Sequence, residues 1–162
     1  MARSARKAGI HAVEVLGWGQ QRKLAADLIV TSVPGERITG MRTNSYVITS
    51  AGTSLFIGTE ARHLGPIRAV AANHRIDVAI LPTNGARLLG RRLVMDAPTG
   101  VAAAQLLGAH TLIPIHYTQR PIPPILATPS RIDDLHEVLT DAPGLHVEIL
   151  PPGMRRPRST SG

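Results

Sequence analysis

Seven histidines and no cysteine are what this 162-residue chain offers for metal or acid–base chemistry. Without thiolates a metal centre would be built from imidazole and carboxylate, and neither a disulfide scaffold nor a cysteine nucleophile is available. The histidines form no local ligand motif: His-x-His, His-x-x-His and His-Glu-x-x-His are all missing. His63 and His74, eleven apart on one expected helix, share a face but lie turns apart, where surface or packing roles account for them. His136 and His146 flank the last helix and strand, and His11 and His110 begin strands. His116 differs, because it ends the apolar run Thr-Leu-Ile-Pro-Ile at 111–115 just before an irregular loop. The C-terminal mouth of such a strand is where α/β sheets gather ligand-binding groups. The competing reading is a strand-end histidine hydrogen-bonded to a neighbouring loop. There is no Gly-x-Ser-x-Gly elbow, phosphate loop or dinucleotide fingerprint, and Gly35, Gly58 and Gly65 read as turn and cap glycines.

The elements that must position these groups follow from period and punctuation. Residues 11–16 (HAVEVL) and 24–33 (LAADLIVTSV) read as two strands joined by Gly-Trp-Gly-Gln at 17–20, with Pro34-Gly35 closing the second. Residues 45–49 and 54–57 form a second hairpin through Ser-Ala-Gly-Thr at 50–53. Leu64, Ile67, Val70 and Ala71 at helical spacing predict a helix over 61–74, with Pro66 in its first turn. Residues 77–81 (DVAIL) predict a strand buried on both faces, and 83–92 a loop containing Asn84-Gly85. A second, largely buried helix is expected over 98–107, starting near Asp96 or Ala97 and ended by Gly108. Residues 111–115 form the next strand, with Pro114 arguing for its end or an edge position. The Pro-rich stretch 120–129 is irregular. Ser130 and Asp133 suggest a capping box for a third helix lined by Ile132, Leu135 and Leu139, and residues 146–150 (HVEIL) a last strand.

Length suits one domain, and the core must be aliphatic, since Trp18, Tyr46, Phe56 and Tyr117 are the only aromatic rings. A composition 43% hydrophobic and 18% charged excludes a disordered chain, and no apolar run reaches the ~18–20 residues of a membrane span. Nor does the basic start lead into an apolar stretch of signal-peptide length, so a soluble, cytoplasmic domain is expected. The net charge of +7 comes from sixteen arginines and two lysines spread along the chain. Its two clusters, Arg3, Arg6, Lys7 and Arg155, Arg156, Arg158, sit in terminal segments that read as solvated tails. Few rings are available for base stacking, so nucleic acid is the third-ranked partner.

Taken in order, several strings resemble the second half of a metallo-β-lactamase-fold hydrolase, in the branch of ascorbate-phosphate lactonase-like and N-acyl-phospholipid-hydrolase-like proteins. They are Leu-Ile-Val-Thr-Ser-Val-Pro at 28–34, Asn-Ser-Tyr-Val-Ile-Thr at 44–49 and Ser-Leu-Phe-Ile-Gly-Thr-Glu at 54–60. Ile-Asp-Val-Ala-Ile-Leu-Pro at 76–82, Leu-Gly-Ala-His at 107–110, Ile-Pro-Ile-His-Tyr at 113–117 and Val-Glu-Ile-Leu-Pro-Pro-Gly at 147–153 complete the series. The resemblance covers roughly residues 9–153. It implies an αββα sandwich with a site for one or two divalent ions, usually zinc, that generate hydroxide and polarise the scissile group.

The sequence departs from the pattern the resemblance implies. The His-x-His-x-Asp-His motif is absent. The family's later histidine would fall just after Val33-Pro34, where Gly35-Glu36-Arg37 stand, and the bridging aspartate after Gly58, where Thr59 and Glu60 stand. Only His116 matches a family ligand. Glu60 could add an oxygen from a shifted position, while a guanidinium at Arg37 would oppose a nearby cation. Tyr117 is placed to touch a substrate or to pack. The expected fold is therefore α/β (α+β): half of an αββα sandwich, a mixed sheet with helices on one face. Residues 1–8 are expected as a flexible lead, 9–153 as the partial domain and 154–162 as a basic flexible tail. The expected function is a zinc-type hydrolase with most ligands missing, weakly active or inactive, with His116 and Glu60 as residual metal ligands and the small-molecule substrate undefined. The alternative is a non-catalytic homodimer or scaffold whose partner covers the exposed sheet face.

Overall fold

The computed structural model describes residues 2–38, 40–151 and 153. Helix α1 (Ala2–Lys7) lies in the segment expected as a lead, and the expected tail, 154–162, falls outside the described residues. Strand β1 (Gln21–Lys23) pairs antiparallel with β2 (Leu28–Ile38), β2 with β3 (Met41–Ser50), and β3 with β4 (Thr53–Ile57). The tight turn between β3 and β4 is built by Ala51 and Gly52, both at positive φ (47° and 79°), the backbone that matches the twist of a two-residue hairpin.

Residues 11–16 alternate as a strand should, yet they form none. The edge ladder is taken by β1, and Leu24–Asp27 makes the turn. The earlier segment is held instead by side chains: Asn44 Nδ2 donates to the Leu16 carbonyl (2.8 Å) and Arg22 pairs with Glu14 (2.7 Å). Nor does Pro34-Gly35 end β2. The strand runs on to Ile38 through a register shift between Pro34 and Arg37. There Thr43 Oγ1 both receives the Glu36 N–H and donates to the Glu36 carbonyl, each at 2.9 Å.

After β4 the pattern becomes helix–strand alternation. Helix α2 (Leu64–Ala71) buries Ile67 and Val70 and leads to β5 (Val78–Pro82), which lies parallel to β4. Helix α3 (Ala97–Leu106) is capped by Asp96, whose carboxylate accepts from the Thr99 amide (3.2 Å), and it leads to β8 (Thr111–Ile115), parallel to β5. Gly100, Ala103 and Ala104 are buried on α3. A Cβ at Gly100 would stand 3.0 Å from Thr83 Cγ2 and 3.3 Å from the Pro82 carbonyl oxygen, so small residues set how closely α3 approaches β5. Helix α4 (Asp133–Leu139) buries Leu135 and is followed by β10 (His146–Val147), parallel to β8. The expected Ser130 capping box does not form: Ile132 is the N-cap without a side-chain bond, and Asp134 reaches back to the Arg131 amide at 2.8 Å. Pro114 pairs with Leu81 on one side, while β10 covers the other side of β8 only at Thr111 and Leu112, so the proline sits near the strand end where that edge is open, as its missing N–H requires.

The half-sandwich expectation is overturned. Among the described residues the fold is α/β with two sheets and four helices, running through nearly the whole chain. The larger sheet has strand order β1-β2-β3-β4-β5-β8-β10 and mixed direction. A second sheet, β7-β6-β9, joins β6 (Arg87–Leu88) to β7 (Arg91–Arg92) and β9 (Leu126–Ala127), all antiparallel. Its strands lie in the two segments read as loops. Strands of two residues display no period, and the pairing of β6 with β9 is created by the tertiary fold.

One face of the large sheet carries Val47, Phe56, Ala79 and Leu112 in adjacent register. These side chains form a single core with Ile67 and Val70 of α2, Val101 and Ala104 of α3, and Leu135 of α4. The opposite face presents Ile48, Leu55, Ile57, Ile80, Ile113 and Ile115, all half-buried. No helix among the described residues is long and apolar enough to cross a membrane.

Candidate functional site

The C-terminal ends of β4, β5 and β8 deliver residues 58–60, 83–84 and 116–119 to one end of the sheet, the location where parallel α/β sheets place ligands. Gly58 turns the chain after β4, its amide donating to the Ile80 carbonyl (3.0 Å). A Cβ there would stand 2.7 Å from Phe56 Cε1 and 3.1 Å from Leu81 Cδ2, so glycine is required by packing. Glu60 follows in a half-buried turn. His116 ends β8 at φ 65°, a left-handed conformation uncommon outside glycine. Its carbonyl accepts from Asn84 Nδ2 (3.0 Å) and from the Gln119 amide (2.9 Å). Asn84 also donates to Gln119 Oε1 (3.0 Å) and accepts the Ala86 amide (3.2 Å). The buried Asn84 side chain therefore fixes where the chain turns after His116. The loop bond expected for a strand-end histidine is made by its backbone.

His116 and Glu60 leave strands β8 and β4, which are separated by β5, so their strand ends stand two sheet spacings apart, about 10 Å. The carboxylate at the β2 bulge is already engaged. Glu36 is buried, and its Oε1 accepts the backbone N–H of Arg62 (3.0 Å) and of His63 (2.8 Å) at the approach to α2, while Arg62 Nη2 lies 3.7 Å from Oε2. Among the described residues no group of three or more His, Asp or Glu side chains converges. The donor set present does not fit a zinc centre, which needs three or four protein ligands. Tyr117 donates its hydroxyl to the Leu150 carbonyl (2.7 Å), tying the segment after β10 to the end of β8, a packing role.

Glu36 and Asn84 are the residues that sequence reasoning missed. Glu36 is the middle residue of Gly35-Glu36-Arg37, the stretch that stands where the resemblance would place a histidine, and nothing in the sequence marks it out from its neighbours. Asn84 was read as half of an Asn-Gly turn. The one available signal is that each lies within three residues of the end of an apolar run, 28–33 for Glu36 and Val78–Pro82 for Asn84.

Two further carboxylates are held ionised by structure. Ser54's amide, at 2.7 Å, holds the Asp77 carboxyl below its ordinary range against the opposing effect of burial; the Ser54 hydroxyl, Arg75 and His110 assist. Burial pushes the Asp96 carboxyl up, but hydrogen bonds from the Thr99 hydroxyl and amide, with Arg92 at 2.8 Å, overcome it and leave it below its usual value. Asp77 lies at the opposite end of the parallel strands from His116, and Asp96 caps α3. Both are structural.

The chain resembles proteins of this architecture only distantly. No protein-family model matches it. A UPF0173 metal-dependent hydrolase of Geobacillus thermodenitrificans is 28% identical over 117 residues, 72% of this chain and 42% of the relative. One from Methanosphaerula palustris is 28% identical over 107 residues, 66% of this chain and 44% of the relative. The chain thus spans a little over two fifths of the length of these curated relatives. Among solved structures, the isothiocyanate hydrolase of Delia radicum gut bacteria superposes with a TM-score of 0.73 at 13% identity, covering 94% of this chain and 62% of that one. A metallo hydrolase of Ignicoccus hospitalis gives 0.71 at 19% identity, covering 94% and 63%. A metallo-β-lactamase fold protein of Bacillus subtilis gives 0.63 at 14% identity, covering 87% and 54%. The fold is similar to that of the metallo-β-lactamase superfamily, and the described residues contain no metal-chelating cluster.

Proposed function

We propose that this chain is a degenerate relative of the metallo-β-lactamase-fold hydrolases, with weak or no hydrolytic activity of its own. The observation that carries this reading is Glu36. Within Gly35-Glu36-Arg37, the stretch where the resemblance would place a metal-binding histidine, there is no histidine, and the buried Glu36 carboxylate is committed to two backbone amides and to Arg62. Any residual cation affinity rests on His116 with Glu60. The branch containing ascorbate-phosphate lactonase-like and N-acyl-phospholipid-hydrolase-like proteins is proposed as the nearest relative on the strings quoted above. A cytoplasmic location is proposed for this chain. Metal analysis of the purified protein tests the main reading: zinc and manganese are expected at the same background in the parent and in His116→Ala. A stoichiometric metal that disappears in His116→Ala would overturn it.

A second reading, a non-catalytic homodimer, is favoured by a separate observation. Ile48, Leu55, Ile57, Ile80, Ile113 and Ile115 form a contiguous, half-buried apolar face on the large sheet, opposite the helices. A contiguous apolar face that no helix covers is the kind of surface that takes a partner, and a two-fold pairing would cover the same face on both copies.

A further inference from the structure

The small sheet carries a patch that neither reading uses. Leu88, Leu89, Ile122 and Ile125 are 43%, 72%, 60% and 51% exposed, although large aliphatic residues at loop tips carry a cost in water. Their backbones are joined, which gathers the four exposed side chains at one end of the small sheet. The Leu89 amide donates to the Ile125 carbonyl (2.9 Å), the Ile122 amide to the Leu126 carbonyl (2.8 Å), and Leu88 pairs with Leu126 across β6 and β9. None of the four belongs to the core cluster. Leu89 also sits at φ 47°, a conformation that favours asparagine or glycine over leucine.

The charge around this patch has one sign. Arg87, Arg91 and Arg92 lie on the β6–β7 hairpin and Arg120 on the adjoining Pro-rich segment, while residues 83–95 and 115–132 contain no Asp or Glu. Arg92 is paired with Asp96. Arg87, Arg91 and Arg120 are exposed, and none of them has an ion pair among the described residues. This one-signed charge is complementary to an anionic partner, and aliphatic tips choose among anions. Single-stranded nucleic acid is held by stacking on rings, and the patch contains none. Aliphatic side chains rimmed by arginine suit the headgroup–acyl boundary of a bilayer, where apolar insertion and attraction to anionic lipid together hold a peripheral protein.

We propose that the three-stranded sheet docks on an anionic lipid bilayer, with Leu88, Leu89, Ile122 and Ile125 entering the acyl boundary and Arg87, Arg91 and Arg120 meeting phosphate headgroups. The test is co-sedimentation of the full chain with phosphatidylcholine vesicles and with mixed phosphatidylcholine–phosphatidylglycerol vesicles, across a salt series. Binding is expected only to the anionic vesicles and should weaken as salt rises. Arg87→Glu with Arg91→Glu should lower partition by at least roughly tenfold, since each arginine near such a surface is worth about fivefold. Leu89→Asn, compatible with the left-handed backbone, and Ile122→Ser should each lower it with unchanged thermal unfolding. Equal binding to neutral vesicles, no vesicle binding, or wild-type binding by both aliphatic variants would overturn the proposal. So would salt-sensitive binding to DNA without vesicle binding, or self-association that Leu89→Asn abolishes while vesicles are not bound.

Discussion

Two carboxylates show how a residue of chemical type can be absorbed by structure. Glu36→Ala removes the acceptor of two backbone amides and is expected to lower stability by about 2 kcal/mol, with Glu36→Gln losing less because one acceptor oxygen remains. Urea titration of both variants checks this. Asp96→Ala should cost about 1 kcal/mol near neutral pH, the usual worth of an N-cap. The pH dependence has a defined sign. The folded carboxyl lies below its unfolded value of about 3.9, so its contribution is present above that value and fades as pH falls through the lower folded value. The difference in urea midpoint between parent and Asp96→Ala should accordingly be full near neutral pH and shrink as pH falls below about 5. At this scale the place of His116 at the end of β8 was legible, because an apolar strand followed by an irregular loop is a local pattern. Glu36 and Asn84 were not, because their partners lie 26, 27, 32 and 35 residues away.

Elements were legible where the signal was local. The β3–β4 hairpin, α3 with its Asp96 cap, and β8 over 111–115 follow from alternation, capping chemistry and apolar runs. The misread elements are those settled by competition between segments. Residues 11–16 alternate as well as any strand, yet residues 21–23 hold the edge of β2. Strands β6, β7 and β9 are too short for any period to appear. Gly35 lay where a strand stop was expected and instead serves the bulge in β2. A Cβ there would come within 2.8 Å of the Thr43 carbonyl oxygen, which is backbone in the paired strand and has little room to yield. Gly35→Ala is expected to destabilise by about 1–3 kcal/mol and to disturb the Glu36–Thr43 bonds. Thermal unfolding measures the first effect and amide exchange at Glu36 the second.

At the scale of the whole molecule, the homodimer reading rests on the apolar face opposite the helices. Ile80→Asp, in the middle of that face, should convert a light-scattering dimer to a monomer with helix content retained; a parent that is monomeric across concentration counts against the pairing. The strand order has a further consequence, for folding. Strands β1 to β4 pair with their neighbours in sequence, so their turns close short loops, whereas β5, β8 and β10 join across α2, α3 and α4. Non-local parallel pairs impose the larger loop-closure cost and form late. Val147, on the last strand to join, should then matter mainly after the barrier: Val147→Ala is expected to speed unfolding while leaving the refolding rate almost unchanged. Ile48→Ala, in the β3–β4 hairpin, should slow refolding instead. Stopped-flow chevrons would record the sheet assembling from its antiparallel side toward β10, in the order in which a ribosome releases it.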